Sequence, residues 1–534
     1  MQRVWHVALL ASMSAVTLLT LQRKQRLRQE SYSHSSEVCT SRAGKKELPN
    51  AHRMELSIAG SFSHNGLYAQ ALAIYSRLLQ TALDEVPRRR AHLSHLYDLR
   101  SCVYESLQCH DNVVQDTTAA LQFDASLGDL YLRRGIALAH LHQYREALRD
   151  ILMAIELAQR ADEDVTDLNE MFRALEQEAI FYEARDAMQN CSPRHLPDDY
   201  LIRAYHDNFY ASDMDTEYSS LIYELAHTSS DRGVQFLQQA LHNKESGRFI
   251  ECYEDLQEAI SNLHPHHAFY VIVCMEYACF LHLLQRYKEA ADWFKQCIDR
   301  LPQSTWIQAH RIHNLLIQGC RAGAASALAM APNESPTFSF LRGLFHSRIF
   351  ADSVQALQHF HEAIRLAPDY VAPYYAASQI YLSANLHEAH SILHQCLAWQ
   401  YLYSSGNHPA LAWIHYALGK YETLCGRSAV VNFEASIAAD TTFVPAYIGL
   451  ARQYPTLFER AQAYLMQALV YARRPDPGIL LAQLRFENQR WQHAVDACDQ
   501  ALEYATTYVE YCHIYAVRNV AIAKVMISNK QSVP

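Results

Sequence analysis

Glycine and proline are scarce in this chain, 15 and 16 of 534 residues, about half the usual combined share of roughly 12%. A β-rich fold closed by tight turns would need more of both, and phosphate-cradling loops would need more glycine. Excess positive charge is missing as well: 46 basic side chains face 56 acidic ones, a net −10. A surface of that sign is a poor generic partner for nucleic-acid phosphates. With 50% hydrophobic and 19% charged residues, the chain is not largely disordered. It is also too long for one compact core, which stops growing near about 250–300 residues. There is no C-x-x-C pair among the 13 cysteines. Cys252, Cys297 and Cys498 sit singly in apolar helical patterns, so buried free thiols in a reducing compartment are expected.

Catalytic signatures are equally absent. Neither G-x-x-x-x-G-K-[ST], G-x-G-x-x-G nor G-x-S-x-G occurs, and an H-P-D tripeptide is missing. His387, His390 and His394 fall on one face of a helical stretch, but their spacing does not match H-E-x-x-H, where two histidines four apart bracket a general base. They read as helix-surface histidines. His264, His266 and His267 surround a proline and read as a surface loop. The chain is expected to be no enzyme, with no metal and no cofactor.

What is present is repetition, with a period of about 34 residues, the length of a tetratricopeptide repeat. In that pattern small residues let two antiparallel helices approach, and larger side chains fill the groove between them. A unit beginning at Gly128 places Tyr131, Gly135, Tyr144, Ala147, Ile151 and Ala154 in register; the unit before it begins at Ser94. Later units carry Ala240 and Ala259, then Ala278, Ala290 and Phe294, then Gly343, Ala356 and Phe360, then Ala417 and Phe433, then Ala494 and Ala501. The segment around Thr305 to Pro332 is a weak unit. The sum is an all-α tetratricopeptide α-solenoid of about eleven helix pairs, ended by a closing helix at 508–528 that shields the last apolar face.

The register breaks between Ala187 and Arg232. This divides the chain into a three-repeat module at 52–186, a linker at 187–232 and a longer array at 233–534. Ahead of them, Val4 to Leu21 is apolar and close to the ~20 residues a helix needs to cross a bilayer. Arg23, Lys24, Arg26 and Arg28 follow it directly, so residues 1–30 read as a single-pass anchor and basic flank, with the bulk of the chain facing the cytosol. A cleavable secretory signal would carry its charge ahead of the apolar run instead. Residues 31–51 read as a polar tether.

An N-terminal anchor, three repeats, a broken segment and a longer array resemble the seventy-kilodalton import receptor of the mitochondrial outer membrane. The stretch Pro193-Arg-His-Leu-Pro-Asp-Asp-Tyr-Leu-Ile-Arg-Ala-Tyr-His-Asp-Asn-Phe209 is similar to that family's segment after the third repeat. The end of the chain, from Ala494 through Val525, resembles its final repeat and alanine-rich last helix. The resemblance implies a receptor on the outer membrane of a mitochondrion or mitosome-like organelle, with precursor proteins and translocation pore subunits as partners. The alternative is a tetratricopeptide co-chaperone or assembly scaffold, in the cytosol or on another membrane.

In the family, the first module clamps the acidic tails of heat-shock chaperones with lysine, asparagine and arginine, because a carboxylate needs charge and hydrogen bonds to be held. Here the matching positions hold Leu56, Gly60, Leu99 and Asp129. Only Arg133 is kept, with Arg134 and Arg100 nearby, so chaperone docking is expected to be lost or altered. The longer array would hold the precursor groove, lined by Met275, Cys279, Tyr375, Gln379, Ile414, Leu418, Ile448 and Arg452.

Overall fold

The computed structural model describes residues 50–83, 90–190, 195–228, 231–403 and 408–531. Among them every regular element is a helix and no strand occurs. The anchor and most of the tether lie outside the described residues. Within them no helix is long and apolar enough to cross a membrane.

The described residues form two compact units, one from those within 1–191 and 482–534 and the other from those within 192–481. In the first unit three hairpins follow one another: Asn50–His64 with Tyr68–Leu83, Arg90–Ser106 with His110–Phe123, and Gly128–His140 with Tyr144–Arg160. The small residues that set the sequence register lie where the paired helices touch. Ala71 and Ala147 are fully buried, and a Cβ on Gly135 would stand 2.9 Å from Ile151 Cγ1. A long helix, Thr166–Gln189, follows the third hairpin.

The division differs from the sequence reading at the C-terminal end. Trp491–Leu502 and Tyr508–Gln531 group with the first three repeats, not with the longer array. Lys524 Nζ bonds Glu156 at 2.9 Å, and Asn519 Nδ2 donates to Glu183 at 2.6 Å. The last helix thus covers Tyr144–Arg160 and Thr166–Gln189 as well as its own hairpin partner. Sequence periodicity could not show this, because a repeat pattern records which face of a helix is apolar but not which distant helix will cover it.

The second unit stacks hairpins from Arg232–Glu245 with Phe249–Asn262 through Val444–Gln453 with Phe458–Tyr471. The weak repeat is a true helix pair, Thr305–Ile317 with the short Arg321–Ala329. Ser304 caps the first of these, accepting from Ile307 N, which satisfies one of the otherwise unpaired N-terminal amides.

Residues 195–226, assigned to a linker from sequence, are part of this unit's core. They form two helices, Asp199–Asp207 and Thr216–Ala226. Tyr200, Ile202, Tyr205, Phe209, Tyr218 and Leu225 are all buried. The polar and tyrosine-rich composition that reads as a spacer reflects a strap whose side chains bond the array along its length.

Candidate functional site

In the first unit the three arginines of the expected clamp are all engaged by carboxylates of the protein. Arg100 donates through Nε and Nη2 to both oxygens of Asp116, at 2.8 and 2.7 Å. Arg134 does the same to Asp150, at 2.6 and 2.9 Å, and Arg149 bonds that carboxylate too. Arg133 lies between Asp98 and Glu105, with its Nε 3.1 Å from Glu105 Oε2. Burial opposes its charge, but the Asp98 and Glu105 carboxylates beside it hold the guanidinium firmly protonated. Bidentate arginine–carboxylate pairs are strong and geometrically specific, so these arginines join neighbouring helices. Leu56 and Leu99 pack partly buried against the first hydrophobic cluster, and Asp129 is exposed. A groove of this composition offers an acidic tail little to bind.

In the second unit the first-helix face of the array is covered by the chain's own strap. At one end Arg474 Nη1 donates to Tyr200 Oη at 2.8 Å, and the Tyr200 ring meets Phe443 and Trp413 with centroids at 5.0 and 5.7 Å. Arg203 then forms a pair with Asp440 at 2.9 Å. Tyr205 Oη lies 3.0 Å from His310 Nδ1, and Phe209 stacks on the His310 ring at 3.6 Å. Further along, Asp213 Oδ2 accepts from Ser335 Oγ and Thr337 N, both at 2.9 Å. Asp215 Oδ2 accepts from Ser304 Oγ at 2.6 Å and Trp306 N at 3.2 Å. Two strap carboxylates therefore sit at the N-termini of two array helices, where partial positive charge favours them.

The positions expected to line a precursor groove divide accordingly. Met275, Cys279, Ile414 and Leu418 are buried, because inward-facing apolar positions pack in the core instead of lining an open groove. Tyr375 meets the Trp413 ring at 4.9 Å, and Gln379 accepts a bond from Lys420 Nζ at 3.0 Å. Ile448 packs half-buried against the cluster around Phe443. Arg452 is exposed.

Sequence reading also missed a buried histidine cluster where the strap meets the array. His282, His310 and His313 are buried and His206 of the strap is half-buried beside them, with His282 and His313 ring centroids 5.1 Å apart. Burial lowers all four, His282 to about 4. Lys244, paired with Glu276 at 2.7 Å, and Arg348 are the cations nearby. The one sign in the sequence was His310 and His313 on one face of the weak repeat, with nothing to indicate what would pack on them.

The cysteines described are free thiols. Burial pushes Cys252 and Cys498 up to about 12, so they are protonated and unreactive. His390 and His394 lie with ring centroids 4.2 Å apart. Among the described residues no group of three or more His, Cys, Asp or Glu side chains is arranged to hold a metal ion.

No family model matches the chain, and no curated protein is similar to it in sequence. Solved structures do resemble it, to differing degrees. The crystal structure of yeast Tom70 superposes with a TM-score of 0.52 at 16% identity, covering 91% of this chain and 97% of that one. The Cut9–Hcn1 hetero-tetramer of the APC/C gives 0.35 at 11% identity, covering 86% and 88%. A tetratricopeptide repeat protein from Parabacteroides merdae gives 0.30 at 11%, covering 53% and 98%. The chain has a tetratricopeptide-type α-solenoid fold.

Proposed function

We propose that this chain is a non-enzymatic receptor that binds other polypeptides. It is held by its N-terminal apolar segment on the outer membrane of a mitochondrion or mitochondrion-derived organelle, and it passes precursor proteins to a translocation pore. The observation that carries this reading is the likeness to the yeast Tom70 fold over most of both chains, which agrees with the order of parts in the sequence. Helix-pair arrays bind partners on extended surfaces. With the strap across the first-helix face, cargo meets the second unit on a surface other than that trough. Chaperone tails are not among the partners, since Arg100, Arg133 and Arg134 are already paired.

Two measurements test the reading. A fluorescent protein fused to residues 1–46 should label mitochondria or a related organelle; diffuse or reticular label would favour the co-chaperone or assembly scaffold. Photo-crosslinking should join a hydrophobic carrier precursor to residues 192–481, and its failure would count against a receptor.

A further inference from the structure

The Thr216–Ala226 helix has two working faces. Tyr218 and Leu225 point inward and are buried to 1%. Glu217, Leu221 and Glu224 recur at the helical spacing on a flank of the same helix, about a quarter turn from that inward face. They form one wall of an open groove of about 820 Å³, whose other wall comes from Pro265 to Ala268 and from Asp299 to Leu301. Val271 and Leu301 lie buried in its floor, and Leu221 is half-buried at its side.

The rim is unbalanced in charge. Glu217, Glu224 and Asp299 are exposed, and no described residue forms an ion pair with them. The one arginine in the lining is tied back to the protein. Arg300 donates to the carbonyl oxygens of Gln296 at 2.9 Å and Pro265 at 3.2 Å, and lies over the Tyr270 ring at 5.1 Å.

We propose that this groove binds an extended polypeptide segment carrying basic side chains on either side of an apolar one. The apolar residue fills the floor against Val271, Leu221 and Leu301, and the basic residues meet the three carboxylates. An acidic segment is repelled by the same rim, so charge sets the choice of partner as well as the rate of encounter. The proposal rests on the polypeptide-binding reading above and assigns that binding to the outer face of the strap.

The test uses the full chain in detergent and fluorescence anisotropy of a labelled peptide of alternating arginine and leucine. Two counterparts replace every arginine by glutamate or every leucine by serine. The arginine–leucine peptide should bind with an affinity on the order of tens of micromolar, and both counterparts should bind at least about tenfold more weakly. Glu217→Arg with Glu224→Arg should cost at least about tenfold, whereas Glu434→Arg with Glu487→Arg, outside the groove, should cost less than about twofold. Melting temperature checks that the variants fold, and raising the salt concentration must weaken binding to the unaltered chain. Equal loss in both double variants, or equal binding of the glutamate peptide, overturns the proposal. If no peptide binds while precursors still crosslink to residues 192–481, the groove is refuted and the receptor reading stands.

Discussion

Arg134 grips Asp150 through two parallel hydrogen bonds, with the partners sixteen positions apart in the chain. Arg100 and Asp116 repeat that pair at the same separation in the hairpin before. The arginines expected to reach for a ligand therefore belong to a device that recurs with the repeat and joins the first helix of a hairpin to the second. Removing one partner leaves a buried charge without compensation.

Asp150→Asn should destabilise the first unit by about 3–5 kcal/mol, since it strands Arg134 and Arg149 together. Asp116→Asn should cost less, because Arg100 keeps 20% of its side-chain surface in water. Urea denaturation followed by circular dichroism measures both. Equal, small effects would mean that the pairs are dispensable.

An acidic chaperone-tail peptide should show no saturable micromolar binding to the intact chain. Asp98→Ala with Glu105→Ala releases Arg133 from its partners and should restore measurable binding. Calorimetric titration decides the matter, and micromolar binding by the unaltered chain that Arg133→Ala abolishes would refute the expectation.

The Phe433 ring is held between two glycines. A Cβ on Gly419 would stand 2.4 Å from its Cε1, and one on Gly449 would stand 2.8 Å from its Cζ. Gly419→Ala should therefore lower stability by about 1–3 kcal/mol through overpacking. Adding Phe433→Leu should recover part of the loss, because the smaller side chain can retreat. Thermal denaturation of the single and double variants checks the coupling, and strict additivity would argue against a direct clash.

Asp215 accepts from Tyr218 N of its own helix at 2.9 Å while it also caps the Thr305–Ile317 helix. Asp215→Ala should remove both caps at about 1 kcal/mol each. Hydrogen exchange should then rise at residues 199–226 and at the start of the 305–317 helix, with other hairpins unchanged. Protection that stays as before would show the strap to be held by its apolar side chains alone.

The histidine cluster ties stability to pH. Each ring is neutral in the fold and titrates below its unfolded value of about 6.5, so the unfolded chain binds more protons in acid. The contribution is complete above pH ~6.5. It is lost as pH falls from there toward the folded value of about 4 for His282, and burial holds the other three well below their ordinary value in the same direction. Lys244 and Arg348 add to the cost of protonation, and Glu276 is already held by Lys244. The urea midpoint of the second unit should fall over this range, and His282→Gln should make the fall shallower. An unchanged slope in that variant would exclude His282 as a contributor.

Local pattern was enough to identify the helix pairs. Alanine and glycine at fixed offsets mark where two backbones meet, and Gly135, Ala147, Ala356 and Ala417 lie at those contacts. The acidic partners of Arg100 and Arg134 were also written at repeat spacing, in Asp116 and Asp150, although nothing in one sequence says that a charge is buried. The histidine cluster depends on residues far apart in the chain, His206, His282 and His310, and no short-range rule brings them together. The strap is similar. Its aspartates and Arg203 look like a polar connection until Ser304, Ser335 and Asp440 are found against them. Periodicity specifies which side of each helix is apolar, because that depends only on the turn of the backbone. Which distant segment covers that side depends on packing across hundreds of residues, and tertiary structure alone decided it.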